Sequence, residues 1–156
     1  MTPTHRQGPI VALMDEYERA VGVLVRVLDG LSVESYEREC NPAGAGEGLG
    51  SIRAIVGHVA GAGFGYSEML RIAWDLPRID RPRGDCPLEQ APARLRAMLD
   101  HMTLTLDGRW ELTEAESDAM QIRSRWGPVY DFEQLFEHAI VHILRHRRQI
   151  ERLMVE

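Results

Sequence analysis

Glu137-His138-Ala139-Ile140-Val141-His142-Ile143-Leu144-Arg145-His146 carries three of the chain's six histidines, each four residues from the next. Positions i and i+4 share one face of an α-helix, so this spacing predicts a helix with its imidazoles in register. His142 and His146 also fall on a 4-3-4-3 ladder through Leu135, Ala139, Gln149 and Leu153. Such a ladder is the seam along which a helix packs on its neighbours. Polar rings therefore occupy the middle of an apolar stripe. Buried waters or carboxylates can satisfy them there, or a metal ion can. His138, one position before Ala139, belongs at the edge of the interface. Upstream, Gly127-Pro128 makes a turn, and Asp131 with Gln134 caps the start of the helix.

Outward from this stretch the chain reads as further amphipathic helices. Ile10 to Leu31 keeps a 3.6-residue apolar period closed by Gly30 and Ser32. Residues 32–50 form a polar connection ending in Gly44-Ala45-Gly46-Glu47-Gly48-Leu49-Gly50, read as a plain loop because no GxGxxG pattern is present. Ser51 caps a second helix running to about Trp74. In it, Gly57, Gly61 and Gly65 lie on one stripe, read first as close packing against a neighbouring backbone and second as room for a ligand beside His58. Pro77, Pro82 and Pro87 mark a linker over 75–87. Its 13 residues can span about 43 Å, enough to recross a helix of about 36 Å.

A third helix starts with Pro92 in its first turn and ends near Gly108, with His101 expected to be exposed or capping. Thr113-Glu114-Ala115-Glu116 reads as a capping box for a short helix over 113–120, and Trp110, Trp126 and Tyr130 should pin this segment to the core. With no convincing strand, the expectation is a single all-α domain over 1–156, a four-helix bundle.

Composition narrows the function. Net charge is −6, which argues against nucleic acid as the main partner. All 18 basic residues are arginine, so a P-loop lysine and lysine Schiff-base chemistry are excluded. No apolar run approaches a membrane span, and the first residues lack a signal-peptide pattern, so the expected setting is the cytoplasm. Cys40 and Cys86, without CxxC spacing, are expected as free thiols.

A metal site built on His142 and His146 needs a third ligand from another helix, and His58 is the histidine placed on the packed face of the second helix. Neither an HExxH motif nor the Glu-x-x-His pairs of di-iron bundles occurs. A three-imidazole set with open positions suits Zn²⁺ or Ni²⁺ first, and Fe²⁺ or Cu²⁺ next.

Ile52-Arg53-Ala54-Ile55-Val56-Gly57-His58-Val59-Ala60, followed by His138-x3-His142-x3-His146-Arg147-x-Gln149-Ile150, resembles the DinB/YfiT-like superfamily. The chain departs from the family's usual ending with Arg145 where one of two paired histidines stands and Arg148 where glycine stands; neither change falls on the positions of His58, His142 and His146. The resemblance implies an up-down-down-up bundle with its long crossover at 75–87, homodimers, and a divalent metal on His58, His142 and His146. It also implies a small-molecule substrate and a low-molecular-weight thiol, in S-transfer or isomerisation. Gln149 is then expected to orient a ligand imidazole, His138 to neighbour the site, and Arg147 to face solvent or form a surface ion pair. Metal-assisted hydrolysis, with Glu68, Glu137 or Asp131 as base, and a non-catalytic metal-containing binding or stress protein are the alternatives.

Overall fold

The structure, a computed structural model, describes residues 8–40 and 49–156. The N-terminal segment and most of the glycine-studded loop, residues 44–48 included, lie outside that range. Among the described residues the chain is all-α apart from one pair of two-residue strands. The helices are α1 (Pro9–Asp29), α2 (Val33–Glu37), α3 (Ile52–Ala73), α4 (Ala91–Thr105, after a 3-10 turn), α5 (Glu114–Asp118) and α6 (Phe132–Leu153). No helix is long and apolar enough to cross a membrane.

The local signals that start these helices are the predicted ones. Ser51 Oγ accepts from Ala54 N–H, and Pro92 sits in the first turn of α4. Thr113 with Glu116, and Asp131 with Gln134, form reciprocal capping boxes that satisfy otherwise orphaned N–H groups. Two short features depart from expectation. Ser32 caps α2 inside the predicted connection, where Tyr36 is fully buried and donates to the Cys86 carbonyl at 2.8 Å. The strands β1 (Ile122–Arg123) and β2 (Val129–Tyr130) pair antiparallel around Gly127, whose φ of 120° suits glycine. Elements this short carry too few residues to show a period.

The long helices pack in a ring: α3 against α4 and α6, and α1 against α6 and α4. Contacts between α3 and α4 keep the same order along both, from Gly63 beside Met98 to Ser67 beside Met102 and Arg71 beside Thr105. Those between α3 and α6 run in opposite order, His58 meeting His146 while Trp74 meets Phe132. The linker retraces α3: Pro77 O is held by Arg71, Arg81 reaches the Gly61 carbonyl, and Asp85 pairs with Arg53. Cys40 and Cys86 are free thiols.

The helix glycines divide differently from the expected close-packed stripe. A Cβ at Gly57, Gly61 or Gly65 would meet nothing within 4 Å. It is Gly63 that lets neighbours in: a Cβ there would lie 2.2 Å from the Met98 sulfur and 3.0 Å from the Tyr17 hydroxyl, both side chains fully buried. Urea denaturation should therefore separate two alanine variants. Gly57→Ala should gain about 1 kcal/mol of stability from the helix backbone, whereas Gly63→Ala should lose roughly 1–3 kcal/mol by overpacking. Equal effects would contradict this packing.

Candidate metal centre

The cap at Asp131 fixes where α6 begins and hence which face its histidines present. His142 and His146 point toward α3, 9 % and 4 % exposed, and meet His58 across the interface. The His58 and His142 Nε2 atoms are 3.0 Å apart. One ligating atom from each of the three rings lies within 4.8 Å of the others. His58 is more exposed than its expected place on a packed face suggests, and it borders a cleft also lined by Gly61, Ala62 and Gly65.

Protonation states suit ligation. Burial pushes the His142 imidazole down to about 3, with His146, His58 and Arg145 adding to the effect. Burial also lowers His146, where a hydrogen bond to Gln149 opposes it, and lowers His58, aided by Arg145. The rings are neutral near pH 7. His146 Nδ1 donates to Gln149 Oε1 at 2.9 Å, which leaves the lone pair on Nε2, a buried atom with no partner. Gln149 thus orients a ring of the cluster as expected. His142 Nδ1 is also buried and meets no protein group.

The donor set fits a divalent ion. Two imidazole nitrogens about 2.1 Å from one ion stand about 3 Å apart when they subtend roughly a right angle, close to the observed 3.0 Å. An orphaned lone pair on His146 is what such an ion would satisfy.

His138 lies outside the cluster, at its border. Its half-buried ring stacks on Trp126 at 5.1 Å and meets the edge of Tyr66 at 5.7 Å. These rings line a cleft of about 580 Å³ that opens on His58 and His142. Gly61 and Gly65 form part of its wall, so the stripe of absent side chains makes room beside the imidazoles. The hairpin contributes Arg125 and Trp126, and the 75–87 linker contributes Arg81. None of the described residues of 32–50 reaches this cleft.

Six further residues named from the sequence have defined places in the fold. Arg145 lines the cleft and disfavours the protonated forms of His58, His138, His142 and His146. Its place three residues after His142 and seven after His138 was the available signal. His101 is buried edge-on against Phe64, away from the cluster; burial pushes its imidazole below the ordinary value, opposed by the nearby Ile79 backbone, and no described group meets its ring nitrogens in hydrogen-bond geometry. Glu68 is held by Arg125 at 2.5 Å and by Arg78 at 3.6 Å, Glu137 is exposed, and Asp131 is spent on its cap. None of these carboxylates lines the cleft. Arg147 is half-buried rather than solvent-facing, and its guanidinium lies 3.5 Å from Glu151.

The chain matches no known protein-family model, and no curated protein sequence matches it either.

Burial of a neutral His142 has a pH consequence of defined sign. Unfolded, its imidazole takes up a proton near 6.5; folded, it resists protonation down to about 3. The unfolded chain binds more protons in that window, so stability falls as the solution is acidified. For metal-free protein, urea denaturation should show His142 contributing a loss of about 2 kcal/mol between pH 6.5 and 5. His142→Leu should flatten the profile by that amount; an unchanged profile would contradict the assignment.

Proposed function

We propose that this protein binds one divalent metal ion through His58, His142 and His146 and acts on a small molecule held in the adjoining cleft. The observation that carries the reading is the convergence of three neutral imidazoles from two helices, with an unpartnered Nε2 on His146. Zn²⁺ and Ni²⁺ suit such a nitrogen set best. When bound, the ion supplies Lewis acidity that favours the thiolate of a coordinated thiol or the deprotonation of water.

By its resemblance to the DinB/YfiT-like superfamily, the reaction is S-transfer with a low-molecular-weight thiol. The same reading carries an up-down-down-up four-helix bundle with its crossover at 75–87, and a homodimer. The shared order of contacts along α3 and α4, the reversed order along α3 and α6, and the linker that retraces α3 support that topology.

The chain's own groups favour transfer. No carboxylate among the described residues lines the cleft to serve as base for water. Tyr66 is pushed up to about 12, chiefly by burial, so its phenol stays protonated and can donate a hydrogen bond to a sulfur or oxygen in the cleft. His138, neutral and facing the cleft, is the imidazole outside the ligand set that can accept a proton. It also gives hydrolysis its one specific support, since it could serve an attacking water.

Elemental analysis of protein made without a histidine tag tests the site. About one ion per chain is expected, with loss from a His58→Ala/His142→Ala variant; equal content in both would end the proposal. Thermal-shift measurements with glutathione, mycothiol and bacillithiol test the reaction class. A thiol present at 100 times its dissociation constant should add roughly 2.7 kcal/mol of stability, and the variant should lose that gain. Turnover of simple esters without any thiol would instead favour hydrolysis.

A further inference from the structure

The cleft beside the imidazoles is lined by three arginines, Arg81, Arg125 and Arg145, and by no acidic residue among those described. That concentration of positive charge occurs in a chain whose net charge is −6. Two of the three are engaged. Arg125 is paired to Glu68 at 2.5 Å, and Arg81 donates to the Gly61 carbonyl at 3.1 Å. Arg145 is exposed and has no hydrogen bond or ion pair to any described residue, although it lies near enough to His58, His138, His142 and His146 to disfavour their protonated forms.

An unpaired guanidinium in a cleft is a planar fork of donors suited to a carboxylate, which it can bind through two parallel hydrogen bonds. The remaining wall is apolar or aromatic, with Ala62, Met69, Tyr66 and Trp126 facing the same space. Its volume of about 580 Å³ falls within the usual range for a small-molecule site, roughly 300–1,000 Å³.

We infer that Arg145 selects the substrate of this cleft: a small molecule with one carboxylate held by its guanidinium and an apolar or aromatic body packed on Tyr66, Met69 and Trp126. The inference rests on the functional reading of this cleft and names its substrate class, but the recognition it describes does not need the metal. With Arg125 and Arg81 already engaged, one free guanidinium is left to meet an anion, which is enough for one carboxylate.

Calorimetric titration of the full chain with 2-naphthoate, its neutral isostere 2-naphthamide, and 2-naphthyl phosphate tests this, with metal-free and Zn²⁺-loaded protein run side by side. Wild-type protein should bind naphthoate more tightly than naphthamide or naphthyl phosphate in both forms. Arg145→Gln should weaken naphthoate about tenfold or more while leaving naphthamide affinity and melting temperature unchanged, and Arg145→Lys should restore part of the loss. Equal binding of naphthoate and naphthamide, absence of naphthoate binding, or unchanged naphthoate affinity in Arg145→Gln would overturn the inference. Tighter binding of the phosphate would overturn the carboxylate class. Protein that takes up no zinc yet prefers naphthoate through Arg145 would end the metal reading and leave this one standing; zinc uptake without that preference would do the reverse.

Discussion

Two imidazole nitrogens, His58 Nε2 on α3 and His142 Nε2 on α6, face each other at 3.0 Å across a helix interface. At that distance the rings cannot both be protonated without severe repulsion, and burial already disfavours a charge on either. They can share one proton, or both can offer lone pairs to a cation. His146 adds a third neutral ring whose proton is committed to Gln149 and whose other nitrogen has no partner. Desolvation thus keeps the rings neutral, and neutral rings are the form in which histidine ligates a metal.

Much of the surrounding structure bears on this meeting of rings. The capping box at Asp131 sets the start of α6 and therefore the face that His142 and His146 present. The missing side chain at Gly63 lets Met98 and Tyr17 close on α3 from the far side. Gly61 and Gly65, on the near side, leave open space that becomes the cleft wall. One helix therefore uses glycine for two ends, tight packing behind the site and access in front of it. The hairpin between α5 and α6 completes the wall by bringing Trp126 over His138.

Periodicity and capping chemistry made the long helices legible, and the starts at Ser51, Thr113 and Asp131 came from side-chain signals that act within three residues. The seam through His142 and His146, and the border position of His138, followed from the same geometry. What escaped prediction depends on neighbours distant in the chain. Nothing within 57–65 distinguishes a glycine facing Met98 from one facing a cleft. Burial of His101 depends on Phe64 beside it and on the linker that passes near its ring. Arg145 reads in the sequence only as one residue of α6, and its place in a cleft depends on Tyr66, Arg81 and Trp126, which come from three other parts of the fold. The α2 turn and the two-residue strands were too short to register as patterns.

The most direct test of the three-imidazole metal centre is zinc titration of full-length, untagged protein followed by nitrogen-15 NMR of labelled histidine rings. Three of the six imidazoles, assigned by single substitution to His58, His142 and His146, should change together and reach completion at one equivalent of zinc. Their three remaining counterparts should stay unperturbed at that point or move only slightly, as expected for His138 at the border. A titration in which those three rings do not respond by one equivalent, or in which a different set saturates first, would contradict the account.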